Sequence, residues 1–160
     1  MTSINHDLLQ PSLQRTAPGR APYSQTCGFA CAFLGGPPSV LLLAAVNAFR
    51  LGRWPRDLRW LLPAFALWVG FEWSLVHTAS GQAALAWSRD VLGSRGGELL
   101  RRALALAFFA ATALWLHRRE HRMADLMGLQ RPNGWRMGLL LIVAGNLLAF
   151  LLRVGMKVAE

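Results

Sequence analysis

Four long apolar stretches, each bordered by arginine, limit what this chain can fold into more than any motif it carries. They lie near residues 27–49, 60–79, 99–116 and 136–153. A soluble helix hides one face and wets the other, whereas these stretches are apolar all round. Of 160 residues 54% are apolar and only 16% charged, and a chain this short builds no soluble core large enough to hide four such helices. The expected fold is all-α: an integral membrane protein made as a four-helix transmembrane bundle.

The first stretch has no charged residue and makes about 34 Å of helix, against about 30 Å of hydrocarbon core. The second carries Glu72 and His77. The third gains length through Leu99 and Leu100 when Arg101 and Arg102 extend their stems toward the headgroups. The fourth is lengthened in the same way by Trp135, Arg136 and Arg153. Ahead of them, residues 1–25 hold three prolines and no sustained period, and read as a disordered tail. A cleaved secretory signal is not expected, because the polar leader is too long and Arg50 and Arg53 follow the apolar run directly. Cys27 and Cys31, four residues apart in a span, read as small apolar residues.

The net charge of +9 invites a nucleic-acid reading, and its placement argues against one: arginines gather where apolar runs end, with no basic soluble module to present them to a duplex. They read as topology signals. The first and third loops carry nine of the 17 lysines and arginines, and their density favours those loops inside and both termini outside. Arg50, Arg53, Arg56 and Arg59 recur every three residues with Trp54 and Trp60 among them. Such a strip suits interfacial anchoring, or anionic lipid headgroups at about 1 kcal/mol per basic residue.

Inside the first stretch lies Gly35-Gly36-Pro37-Pro38. Two adjacent prolines remove two amide donors and crowd the preceding turn, so the helix is expected to kink or begin again there. Carbonyls around Phe33 and Leu34 are then left open, and in lipid they need a partner from a neighbouring helix or a water. Broken helices also build solute sites in transporters, usually as matched pairs, but the later stretches hold no second Gly/Pro break.

The run Tyr23-Ser24, Phe33-Leu34-Gly35-Gly36-Pro37, Leu42-Leu43, Asn47 and Leu51-Gly52 resembles the opening of a group of small, uncharacterised bacterial multi-pass membrane proteins. Asn133-Gly134-Trp135-Arg136 is similar to that group's Asn-Trp-Arg entry to its last helix, with Gly134 inserted. The likeness covers about half the chain. It implies a bacterial cell (inner) membrane protein and transfers no catalytic residue.

Glu72 is the leading candidate for function. An acid at the centre of a span costs about 2.5–3.5 kcal/mol and is pushed toward its neutral, hydrogen-bond-donating form. Because the second and fourth spans run in the same direction, Glu72 and Asn146 fall at matching depth, and a hydrogen bond between them is expected as polar glue. The competing reading is an oligomeric proton or small-solute permeation pathway that uses the same two residues. His77 lies about 140° around the helix from Glu72 and adds little to such a path.

His117-Arg118-Arg119-Glu120-His121 fits the H-x-x-E-H pattern of one class of zinc peptidases. Two histidines four apart can share a metal, but the nearby arginines repel a divalent cation and a third ligand must come from elsewhere, with only Asp125 and Glu160 as downstream acids, so a juxtamembrane cap is the better reading. No metal, cofactor or catalytic residue is expected. Gly138, Gly145 and Ala149 share one side of the last stretch and allow close helix approach, within one chain, in a homo-oligomer or against a larger membrane complex. The expected function is that of an accessory or structural membrane component, with lipid as its constant partner.

Overall fold

The computed structural model describes residues 21–158, which are helical throughout apart from short turns. The expected disordered tail falls mostly on residues outside that range; of its end, Ala21, Pro22 and Tyr23 are buried against the bundle. In chain order come α1 (Gln25–Arg50), α2 (Trp54–His77), α3 (Ala79–Leu92), α4 (Gly96–Ala110) with a π-helical turn (Ala111–Leu116), α5 (Arg118–Leu126) and α6 (Gly134–Val158). Three stretches are long and apolar enough to cross a membrane, Gln25–Arg50, Ala79–Leu116 and Gly134–Met156, and these point to membrane insertion.

Two of those three do not run straight. In α1, Gly36 takes φ 72° and ψ −168°, a conformation closed to side chains, and the helix reverses on it. Pro37 and Pro38 then open the second limb, where a missing N–H costs nothing because the first turn has no acceptor for it. The limbs, residues 25–35 and 37–50, lie side by side: Tyr23 N donates to Asn47 Oδ1 at 2.9 Å, and the Arg50 guanidinium sits 4.8 Å over the Tyr23 ring. On a straight helix Tyr23 and Asn47 stand about 36 Å apart. The expected span at 27–49 is therefore a helical hairpin, with limbs of about 16 and 21 Å that are each too short for a hydrocarbon core. The chain enters and leaves it at the same end, which corrects the expected placement of the N-terminal side opposite the first loop.

The hairpin is the core of the molecule. Over its most apolar window 56% of residues are buried, against 11% and 22% for the other two stretches, so its apolarity serves packing within the protein. α6 packs along it through small residues. A Cβ on Gly145 would stand 2.0 Å from Ser39 Oγ and 2.7 Å from Ser39 N, so this helix and the hairpin tip meet backbone to backbone. Cys27 and Cys31 face the same helix, donating to the carbonyls of Gly134 and Gly138.

The other break is at Gly93, φ 76°, which separates α3 from α4. α3 lies between the expected stretches 60–79 and 99–116 and belongs to neither. It starts where Thr78 caps it, accepting from Gly81 N at 3.0 Å, and this ends α2 at His77, short of the expected boundary at 79. α4 with its π turn contains the expected stretch 99–116, and α6 contains 136–153. α2 has the length of a span but is diluted by Arg56, Asp57, Arg59 and Glu72. Around the hairpin, α2 and α6 run from the end that holds Tyr23 and Arg50 to the far end, and α4 returns.

Candidate functional site

The buried residues of α2 are Asp57, Leu61, Trp68, Glu72 and Leu75, a spacing that sets all five on one inward face. Each end of this face carries an acid, and each acid meets a partner from the returning chain.

At the far end Glu72, 1% exposed, accepts from Arg101 Nε at 2.9 Å on Oε1 and 3.1 Å on Oε2. Arg153 approaches the same carboxylate with Nε and Nη2, both at 3.4 Å. Three helices, α2, α4 and α6, are thus tied at one group. Arg101 and Arg153 reach inward from the span ends and not toward headgroups. Arg102 lies 5.0 Å over the Phe33 ring and 3.9 Å from Glu98. A cleft of about 190 Å³ opens here, lined by the hairpin tip, Glu72, Glu98, the three arginines and Asn146.

The expected Glu72–Asn146 hydrogen bond is not formed. Asn146 Nδ2 donates to Leu34 O at 3.3 Å and to Ile142 O at 2.9 Å. Leu34 O is one of the carbonyls that the proline break leaves open, and Gly35 O beside it accepts from Ser39 Oγ at 2.8 Å. An amide that caps an orphaned carbonyl is not free for a carboxylate already held by two guanidinium groups. His77 packs its ring 5.2 Å from that of Trp73.

At the near end Asp57 Oδ2 and His117 Nε2 are 3.0 Å apart, and the two side chains are 0% and 2% exposed. Arg53 stands 3.4 Å from Asp57 and also bonds Glu120. The first and last histidines and the glutamate of the H-x-x-E-H run therefore all face inward, with Glu120 held by Arg53. Among the described residues no three His, Cys, Asp or Glu side chains converge on a metal-sized site. Burial pushes His117 below its ordinary value, against the pull of Asp57. His121, also buried, is pushed down to about 4 by burial and then by Arg131 and His117. Its Nδ1 has no partner among the described residues, and a cavity of about 20 Å³, space for one water, adjoins it with Tyr23, Asn47 and Thr112 in its wall. The π-helical turn, where His117 N bonds Thr112 O five residues back, delivers His117 to Asp57.

The arginine strip of the first loop divides. Arg50 turns to Ala21 O and the Tyr23 ring and Arg53 to the acids, while Arg56 and Arg59 point outward. The Asp57–His117 pair escaped sequence reasoning because Asp57 stands among those arginines. Its signal was the spacing to Leu61, Trp68 and Glu72.

Between the two clusters, about 22 Å apart along α2, the inward face offers Leu61, Ala64 and Trp68, which pack with Leu41, Ala44 and Ala149 of the hairpin and α6. The chain matches no protein-family model, no curated protein and no solved structure.

Proposed function

We propose that this chain is a multi-pass membrane protein that works as a non-enzymatic accessory or structural component. The observation that carries this reading is the closed ion-pair set at Glu72: a carboxylate engaged by two arginines holds helices together and has no free valence for relaying protons. The apolar seal between the two charge clusters supports it, since a permeation path needs polar groups or water along its length.

The membrane arrangement proposed with it is three crossings, α2, α4 with its π turn, and α6, around a re-entrant hairpin. The nine arginines of the first and third loops, of 17 basic residues in the chain, lie at the end where the hairpin begins and ends, and we assign that end to the cytoplasm. The bacterial inner membrane as its location rests on the resemblance of the opening motif. Proton flux in liposomes tests the function directly. Wild type and Glu72→Gln are expected to match protein-free vesicles; pH-driven flux in wild type that Glu72→Gln abolishes would replace this reading with permeation.

A further inference from the structure

α2 and α4 make little direct backbone contact along their length and are tied chiefly at their ends, by Glu72–Arg101 and Asp57–His117. Pro63 interrupts the backbone ladder of α2, and the π turn widens the opposite helix at Ala111–Leu116. A lateral groove of about 270 Å³ lies between them. Its floor is Leu41 of the hairpin, and its walls include Trp60, Leu67, Phe108, Ala111 and Trp115. Taking the ~30 Å³ that a water fills in the liquid as the measure, it holds roughly nine such units, a good part of one fatty-acyl chain.

The groove has a charged mouth. Trp60 and Trp115 meet edge to face at 5.3 Å at its near end, both more than half exposed. Arg56 stands one turn before Trp60 and Arg59 beside it; Arg118 and Arg119 follow Trp115 by three and four residues. All four are exposed, and among the described residues none pairs with an acid. His117 and Glu120, which flank the second pair, are instead consumed inward. An apolar slot that opens sideways beneath tryptophans and four uncommitted guanidinium groups complements one kind of molecule in a bilayer, a lipid with an anionic headgroup.

We infer that this groove is a binding site for an anionic phospholipid, with one acyl chain lying between α2 and α4 and the headgroup on Arg56, Arg59, Arg118 and Arg119. Arg50 and Arg53 take no part.

The test is fluorescence quenching in phosphatidylcholine vesicles that carry a rising fraction of phosphatidylglycerol brominated in its acyl chains, with brominated phosphatidylcholine as the parallel series. Subtracting Trp115→Phe isolates the Trp115 signal. Half-quenching of Trp115 is expected at a fraction of phosphatidylglycerol about fivefold lower, or more, than of phosphatidylcholine. The fourfold Arg→Gln variant at the mouth should bring that ratio to about one. So should Ala111→Phe, which fills the slot at an exposed position and leaves every arginine in place. Equal quenching by both lipids in wild type overturns the proposal. A preference that survives Ala111→Phe also overturns it, since the arginines then hold headgroups around the protein without a seated chain. Trp115 unquenched by either lipid means that protein, such as a second copy, covers the groove.

Discussion

Removing Arg101 should damage this protein more than removing the charge it neutralises. Glu72 is 1% exposed, whereas the side chains of Arg101 and Arg153 are 22% and 44% exposed. In Glu72→Gln both guanidinium groups keep access to water, and the amide oxygen still accepts, so the cost should be about 1–2 kcal/mol. In Arg101→Ala the carboxylate loses its two shorter contacts and keeps Arg153 at 3.4 Å, a distance and exposure worth about 0–1 kcal/mol. A buried charge left nearly alone costs about 3–5 kcal/mol. The double variant Glu72→Gln/Arg101→Ala removes the stranded charge, so it should be more stable than Arg101→Ala by about 1–3 kcal/mol. Reversible unfolding in mixed micelles, followed by circular dichroism against denaturing-detergent fraction, measures all three. If the double variant unfolds together with or before Arg101→Ala, Glu72 does not depend on Arg101 and the three-helix tie is wrong.

Gly145→Ala should lower stability by about 1–3 kcal/mol, because the new methyl has no space at the hairpin tip, and Ser39→Ala should recover only part of that since Ser39 N remains in the way. His121 is lowered from 6.5 to about 4 in the fold, so the native state binds fewer protons than the unfolded chain between those values. Its contribution is present above about pH 6.5 and is lost as pH falls toward 4, about 3 kcal/mol in all, and unfolding of His121→Leu should show a flatter pH profile. Cysteines at Gln25 and Arg56 should react with an impermeant maleimide from one side of oriented membranes and a cysteine at Ser80 from the other; reaction of Gln25→Cys with Ser80→Cys from a shared side would restore a straight first span.

The apolar stretches were legible because hydrophobicity along a chain reports exclusion from water. It does not report what does the excluding. A helix buried by other helices and a helix bathed in lipid are both apolar all round, so α1 passed for a crossing when it is the core. The signal that separates the two lay in Gly36-Pro37-Pro38 near the middle of the stretch, dividing it into limbs too short to span. Its strength as a break is plain in the sequence, but the angle through which the chain turns depends on Gly36 taking positive φ, and no local pattern dictates that. The two short helices α3 and α5 were hidden for other reasons: α5 is too polar to register as an apolar stretch, and α3 is set apart from the third stretch by the turn at Gly93.

At the Glu72 site, depth was readable and partnership was not. Counting rise along parallel helices brings Glu72 and Asn146 to one level, but it compares Cα positions. An arginine stem spans more than a helical turn, so Arg101 and Arg153 compete for the carboxylate from other levels, and a charged pair wins over an amide. A full account of backbone carbonyls leads to the same assignment. Pro38 supplies no amide to Leu34 O, which needs another donor at the tip. Ser39, one turn on, serves Gly35; Asn146 carries the side-chain amide of the apposed helix and serves Leu34. Once Asn146 is committed to the hairpin, the acid at this end of the bundle is left to the guanidinium groups, and the Asn146 cap and the ion pairs of Glu72 answer one local requirement, that the Leu34 carbonyl and the Glu72 carboxylate each find a donor.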